Sequence, residues 1–164
     1  MTATRIAFFE VAPADDAAFV AAWAPAPAAA LHRALRRDAA FRFVAFLEPD
    51  ASPAHGSVYE AVDEHREPGG AGGVLLVAPY AVEAGEEADF PAGWARLRDA
   101  LAPRQGYLGA RLHRSVGPAV FEFVAVVRWS SPLMYARALQ DAAIQAEVGA
   151  LPGGGREAMY LPAG

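Results

Sequence analysis

The chain has 164 residues, 54% of them hydrophobic, a formal charge of −5 and no cysteine. That apolar content supplies a real core and excludes a disordered chain, while the interspersed charges offer no basic stripe to a nucleic acid partner. Disulfides, thiolate metal sites and thiol nucleophiles are excluded too, and the first apolar run, Ile6-Ala7-Phe8-Phe9, is too short for a signal segment or a membrane span, so a cytoplasmic protein with no membrane partner is expected.

Residues 5–11 read as a buried strand, and Asp15-Asp16 opens a short amphipathic helix over 17–24, stopped by Pro25 and Pro27. Residues 31–35 and 41–47 pair as a hairpin around Arg36-Arg37-Asp38, and residues 57–64 read as a short second helix. The glycines of 69–73 form a linker. Beyond it, 74–82 is a strand, and Gly85-Glu86-Glu87 opens a helix that runs to Leu101, ahead of Pro103 and Gly106. A central hairpin follows, 107–115 with 120–129, around Gly117-Pro118. Ser131-Pro132 starts a helix over 133–148, and Gly153-Gly154-Gly155 turns into a last strand over 157–161.

The chain says nearly the same thing twice. Leu31-His32-Arg33 precedes Phe41-Arg42-Phe43-Val44-Ala45, and Leu112-His113-Arg114 precedes Phe121-Glu122-Phe123-Val124-Ala125, shifts of 81 and 80 positions. Phe19 and Trp23 answer Phe90 and Trp94, each pair four apart on one helical face. The order in the second copy is β-α-β-β-α-β, the α+β ferredoxin-like arrangement, and the first reads as a degenerate copy of it. We therefore expect two tandem repeats: a degenerate one over 1–68, the linker 69–73, and a better preserved one over 74–164, packed as a covalent pseudodimer. Further homo-oligomerisation is compatible with this arrangement. Only eight positions separate Trp23 from Leu31, against eighteen between Trp94 and Leu112, so the first copy has lost about three helical turns.

Residues 74–132 resemble the antibiotic biosynthesis monooxygenase family of dimeric α/β barrels. The resemblance rests on Pro79-Tyr80-Ala81-Val82, on Phe90-x-x-x-Trp94, on 106–114 (Gly-Tyr-Leu-Gly-Ala-Arg-Leu-His-Arg) and on the strand 121–129 with its Ser130-Ser131-Pro132 extension. It covers about 90 residues, with the first half as a degraded copy. It implies a ferredoxin-like barrel with a pocket between sheet and helices. Family members include oxygenases that turn polyketide anthrones into quinones with O2 and no metal or flavin, haem-degrading proteins, and proteins of other roles. In the quinone-forming members the pocket holds an Asn and a Trp four residues apart, then a Tyr six residues later. The resemblance puts Trp129 at the Trp position, Tyr135 at the Tyr position and Ala125 at the Asn position.

Strand alternation puts Ala125, Val127 and Trp129 on one face, where an aromatic and a tyrosine hydroxyl can clamp a flat phenol; Phe123 and Tyr80 complete the expected substrate-binding set. His113 and Arg111 share a strand face and are expected to deprotonate a phenol and hold the phenolate, with Tyr135 as the third catalytic residue. His32-Arg33 repeats the His-Arg pair in a half whose Trp position is Pro49, which gives Leu-His-Arg a structural component as well. No cofactor is expected. His32, His55, His65 and His113 lack metal-ligand spacing, and the glycine run lacks the Lys-Ser/Thr of a phosphate loop. Trp23 and Trp94 read as core. The leading expectation is a monooxygenase of aromatic polyketides; a polyketide cyclase or isomerase using the same pocket without O2, and a non-catalytic binding or assembly protein, are the alternatives.

Overall fold

A computed structural model describes residues 3–23, 31–51, 56–66 and 72–163. Eight antiparallel strands close into a barrel: β1 (Ala3–Phe9), β2 (Leu31–Ala34), β3 (Phe43–Leu47), β4 (Ser57–His65), β5 (Val74–Tyr80), β6 (Tyr107–Ser115), β7 (Phe123–Trp129) and β8 (Ala158–Pro162). The order around the barrel is β1-β3-β2-β8-β5-β7-β6-β4. Replacing β1, β2, β3 and β4 by β5, β6, β7 and β8, and the reverse, returns the same ring, so both halves share one strand order and are related by a pseudo-twofold. The edge strands are exchanged. The last strand of each half, β4 or β8, pairs with its own first strand and also with β6 or β2 of the other half.

Register agrees with the repeat. Phe43 lies opposite Phe9 and Arg33, and Phe123 lies opposite Tyr80 and Arg114. Each also carries a stacked helix phenylalanine, Phe19 on Phe43 at 4.6 Å and Phe90 on Phe123 at 4.4 Å. Tyr59 of β4 donates to the Phe121 carbonyl and Tyr160 of β8 to the Phe41 carbonyl, both at 2.8 Å. These matched bonds tie each exchanged strand to the opposite half, and burial raises both phenol pKa values above the ordinary range.

Alternation along the strands sorts the apolar side chains into three cores. The barrel interior holds Ile6, Val44, Tyr59, Val77, Val124, Val126 and Tyr160. A small outer core joins Ala7, Phe43 and Ala45 to α1 (Asp16–Ala22) through Phe19 and Trp23. Arg42 secures the start of this helix, donating to Asp16 from Nη2 at 2.6 Å and to the Ala34 carbonyl from Nη1 at 2.6 Å. The largest core lies under the second half's helices, α2 (Phe90–Leu101), α3 (Pro132–Ala138) and α4 (Ala142–Ala150).

Three local expectations are corrected. Residues 57–64 form strand β4, with burial alternating at period two; a bulge between Ala61 and Asp63 leaves Tyr59 in the barrel interior and turns Asp63 toward the helix side. The helix expected over 133–148 is two helices: the Asp141 carboxylate caps α4 by accepting from Ala143 N and Ile144 N, and it also pairs with Arg104. The helix expected from residue 85 begins at Phe90 instead, after a run of turns. Pro25, Pro27, His55 and the 69–71 part of the linker lie outside the described residues, while Gly72 and Gly73 enter β5 at positive φ.

Candidate active site in the second repeat

Helix α2 presents Phe90, Trp94, Leu97 and Leu101 to the sheet, a single face at helical spacing. Where this face, the sheet and α4 fail to meet fully, a cavity of about 350 Å3 opens. Its floor is Leu76, Ala78 and Tyr80 of β5 with Ala125 and Val127 of β7; Trp94, Leu97 and Leu101 form one wall, and Tyr135 of α3 with Leu151 and the 153–157 loop close the rest. That volume sits at the lower end of the range for small-molecule sites.

Three polar residues belong to the lining of this apolar space: Tyr80, Tyr135 and the solvent-exposed Glu157. Burial, and then the negative charge of Glu157, hold both phenols above their ordinary acidity range, with Tyr135 pushed up to about 12. Both hydroxyls therefore keep their protons at neutral pH and are hydrogen-bond donors. The loop that carries Glu157 depends on glycine. Gly153 has φ +75°, and a Cβ there would sit 2.0 Å from the Ala81 carbonyl oxygen; a Cβ on Gly154 would come within 3.0 Å of the Tyr80 ring.

Of the residues expected to form the site, Tyr80, Ala125 and Tyr135 line the cavity. Trp129 stands behind Tyr135, with ring centroids 5.5 Å apart, and makes an edge contact to Tyr107 at 5.8 Å. It is fully buried, and its indole Nε1 has no partner among the described residues. Phe123 is sandwiched between Phe90 and the Arg114 guanidinium and supports the floor from one end.

His113 and Arg111 lie on the other side of the sheet. Leu112 pairs with Ala125 on the cavity face, so its neighbours His113 and Arg111 pair with Val124 and Val126 on the barrel-interior face. Arg111 donates to Glu64 at 3.1 Å. His113 is buried, its Nδ1 has no partner among the described residues, and burial, reinforced by Arg111 and opposed by Glu64, lowers its pKa to about 4. The sheet thus separates this pair from Tyr135 and from the cavity.

Trp94, read from the sequence as core, is a cavity wall as well, and its indole donates to Asp63 at 3.2 Å. Asp63 belongs to exchanged strand β4 and also holds Arg98 of α2 at 2.5 Å. The first repeat thereby props the wall of the second repeat's cavity. Its sequence signal was an acidic residue on the less exposed side of an alternating run. Glu157 was legible only as the start of a strand.

No histidine lines the cavity, so an imidazole-ligated haem does not fit it, and among the described residues no three His, Cys, Asp or Glu side chains gather into a metal site. A second cavity, of about 360 Å3, opens beside Phe8, Phe41, Tyr59 and Phe121. Its one buried hydroxyl, on Tyr59, is already committed to the Phe121 carbonyl. Among the described residues no helix is long and apolar enough to cross a membrane.

No family model and no curated protein matches the chain. Solved structures do share its fold. A structure described as a major regulator of staphylococcal pathogenesis superposes with a TM-score of 0.64 at 13% identity, covering 98% of this chain and 99% of that one. An uncharacterised ferredoxin-fold protein related to antibiotic biosynthesis monooxygenases, from Listeria monocytogenes 4b F2365, gives 0.61 at 11% identity over 98% and 93%. An anthrone oxidase-like protein gives 0.57 at 12% identity over 96% and 89%. The match therefore spans both halves, and the architecture is the one that the sequence resemblance implied.

Proposed function

We propose that the chain is a cofactor-independent monooxygenase, which takes a flat hydroxylated aromatic of the anthrone type into the helix-side cavity and converts its methylene to a carbonyl. The balance is substrate CH2 plus O2 giving C=O plus H2O. The observation that supports this reading is the cavity itself, apolar and aromatic-walled, with two protonated tyrosines in its lining. An anthrone becomes reactive toward O2 once it loses a proton and its oxygen takes negative charge. In this reading Tyr80 and Tyr135 donate to that oxygen, and a hydrogen bond to a charged group contributes about 1.5–3 kcal/mol. The conjugate base passes one electron to O2, the radicals combine at carbon as a peroxide, and loss of water leaves the quinone. The shared fold with an anthrone oxidase-like protein supports the assignment.

A cyclase or isomerase is the second reading, favoured by Ala125, which supplies no amide to hold a peroxide or carbonyl. The same tyrosine donors would stabilise the enolate of an aldol-type ring closure. The test is turnover of anthrone and polyketone substrates with and without O2. Oxygen uptake matched one to one by quinone supports the monooxygenase, and lowering of kcat/KM about tenfold in Tyr135→Phe ties it to this cavity. Ring closure unaffected by oxygen would replace it with the cyclase, and absence of both binding and turnover would leave a binding or assembly protein.

A further inference from the structure

We infer that Glu157 selects the charge of the ligand: the cavity admits an aromatic whose hydroxyl donates to the Glu157 carboxylate and turns away the same ring bearing a carboxylate. This inference rests on the cavity being the ligand site, as proposed above, and adds what that site discriminates.

The cavity lining contains one carboxylate and no Lys, Arg or His. The nearest cation in sequence, Arg156, is turned away, its guanidinium 5.6 Å over the Phe121 ring on the barrel-interior side. Glu157 is fixed toward its own loop, with Oε2 accepting from the Gly155 N–H at 3.2 Å. Its charge reaches both cavity tyrosines, where it is the largest contributor after burial to the suppression of their ionisation. Two donors and one anionic acceptor therefore belong to the lining of one apolar space. That set matches a ring carrying a carbonyl beside a hydroxyl: the carbonyl accepts from tyrosine while the hydroxyl donates to Glu157. A ligand carboxylate would place a second negative charge beside the first, with no cation in the lining to offset it.

The test uses 2-naphthol and 2-naphthoate, one ring system with a neutral donor or an anion, titrated at pH 7 against the full chain by calorimetry. Wild type is expected to bind naphthol at least about tenfold more tightly than naphthoate, an estimate discounted for the solvent exposure of Glu157. Glu157→Gln keeps an acceptor for Gly155 and should reduce the ratio to about threefold or less, and Glu157→Lys should reverse it. Naphthol binding with an unchanged ratio in Glu157→Gln would overturn the selector role and leave the cavity as a ligand site. Failure of wild type to bind either probe would overturn both readings. Circular dichroism of each variant verifies the fold.

Discussion

Acidifying the protein from pH 7.5 to 4.5 is expected to cost the fold about 2.5 kcal/mol through one side chain, His113. The imidazole is buried among barrel-interior residues, its Nδ1 has no partner among the described residues, and its pKa is about 4. In the unfolded chain the same group titrates near its ordinary value of about 6.5. The folded pKa is the lower one, so the full contribution is present above about 6.5. Below that the unfolded state takes up the proton first, and stability falls until pH passes about 4. Between pH 7.5 and 4.5 the ratio of the two titrations changes by a factor of about 70, which gives the figure above. The side chains of Asp16, Asp38 and Asp141, held below the ordinary carboxyl range by Arg42, Arg36 and Arg104, lose their contributions mainly below this window. Urea unfolding followed by tryptophan fluorescence at pH 4.5, 5.5, 6.5 and 7.5, on wild type and His113→Leu, isolates the histidine. The difference between the proteins should change by about 2–3 kcal/mol across the series. Parallel stability curves, or an NMR titration placing His113 near 6.5 in the folded protein, would refute the reasoning.

Asp63→Ala should cost about 2–3 kcal/mol, because it strips the acceptor from the Trp94 indole and the partner from Arg98 together; a fall in Tm of about 5–10 °C is expected, and one below about 1 °C would contradict the support role. Tyr59→Phe and Tyr160→Phe should each cost about 1 kcal/mol and add in the double variant, since the two bonds are equivalent and separate; strongly unequal values in urea unfolding would count against the pseudo-twofold. Gly153→Ala should cost more than about 2 kcal/mol, as its Cβ meets backbone, whereas Gly155→Ala meets open space and should cost only the strain of its positive φ, about 1–2 kcal/mol; equal losses in thermal unfolding would undo the distinction. Tyr135→Phe should leave Tm within about 2 °C, so that its effect on turnover reads chemistry and not folding.

The repeat was legible because its markers are strand and helix core residues, which the same fold demands twice: Leu31 and Leu112, Phe43 and Phe123, Trp23 and Trp94. Strand β4 was misread because its edge pairing is with the other half, through Glu60 to Arg114 and Ala61 to His113, and no local propensity reports a partner about fifty residues away. The site was half legible. Period two correctly grouped Ala125, Val127 and Trp129, and separately Arg111 with His113, but it cannot say which faces of two strands coincide. That depends on register, and the pairing of Leu112 with Ala125 puts the two groups on opposite sides. Glu157 escaped notice because a lone acidic residue after three glycines is ordinary at a strand entrance. Its place in the cavity lining comes from the Gly155 contact and from the return of β8 alongside β5.

The exchanged strands have a consequence for inheritance. In an assembly of two identical chains, a codon change appears at both ends of the particle at once, so neither end can drift unless both tolerate it. Here the equivalent positions have separate codons, and they have parted: Phe9 answers Tyr80, Arg42 answers Glu122, and Pro49 answers Trp129. The first half cannot be removed without cost to the second, because β4 closes the barrel against β6 and its Asp63 grips α2. That half is bound to its neighbour twice over, by the barrel interior the two share and by the wall it props.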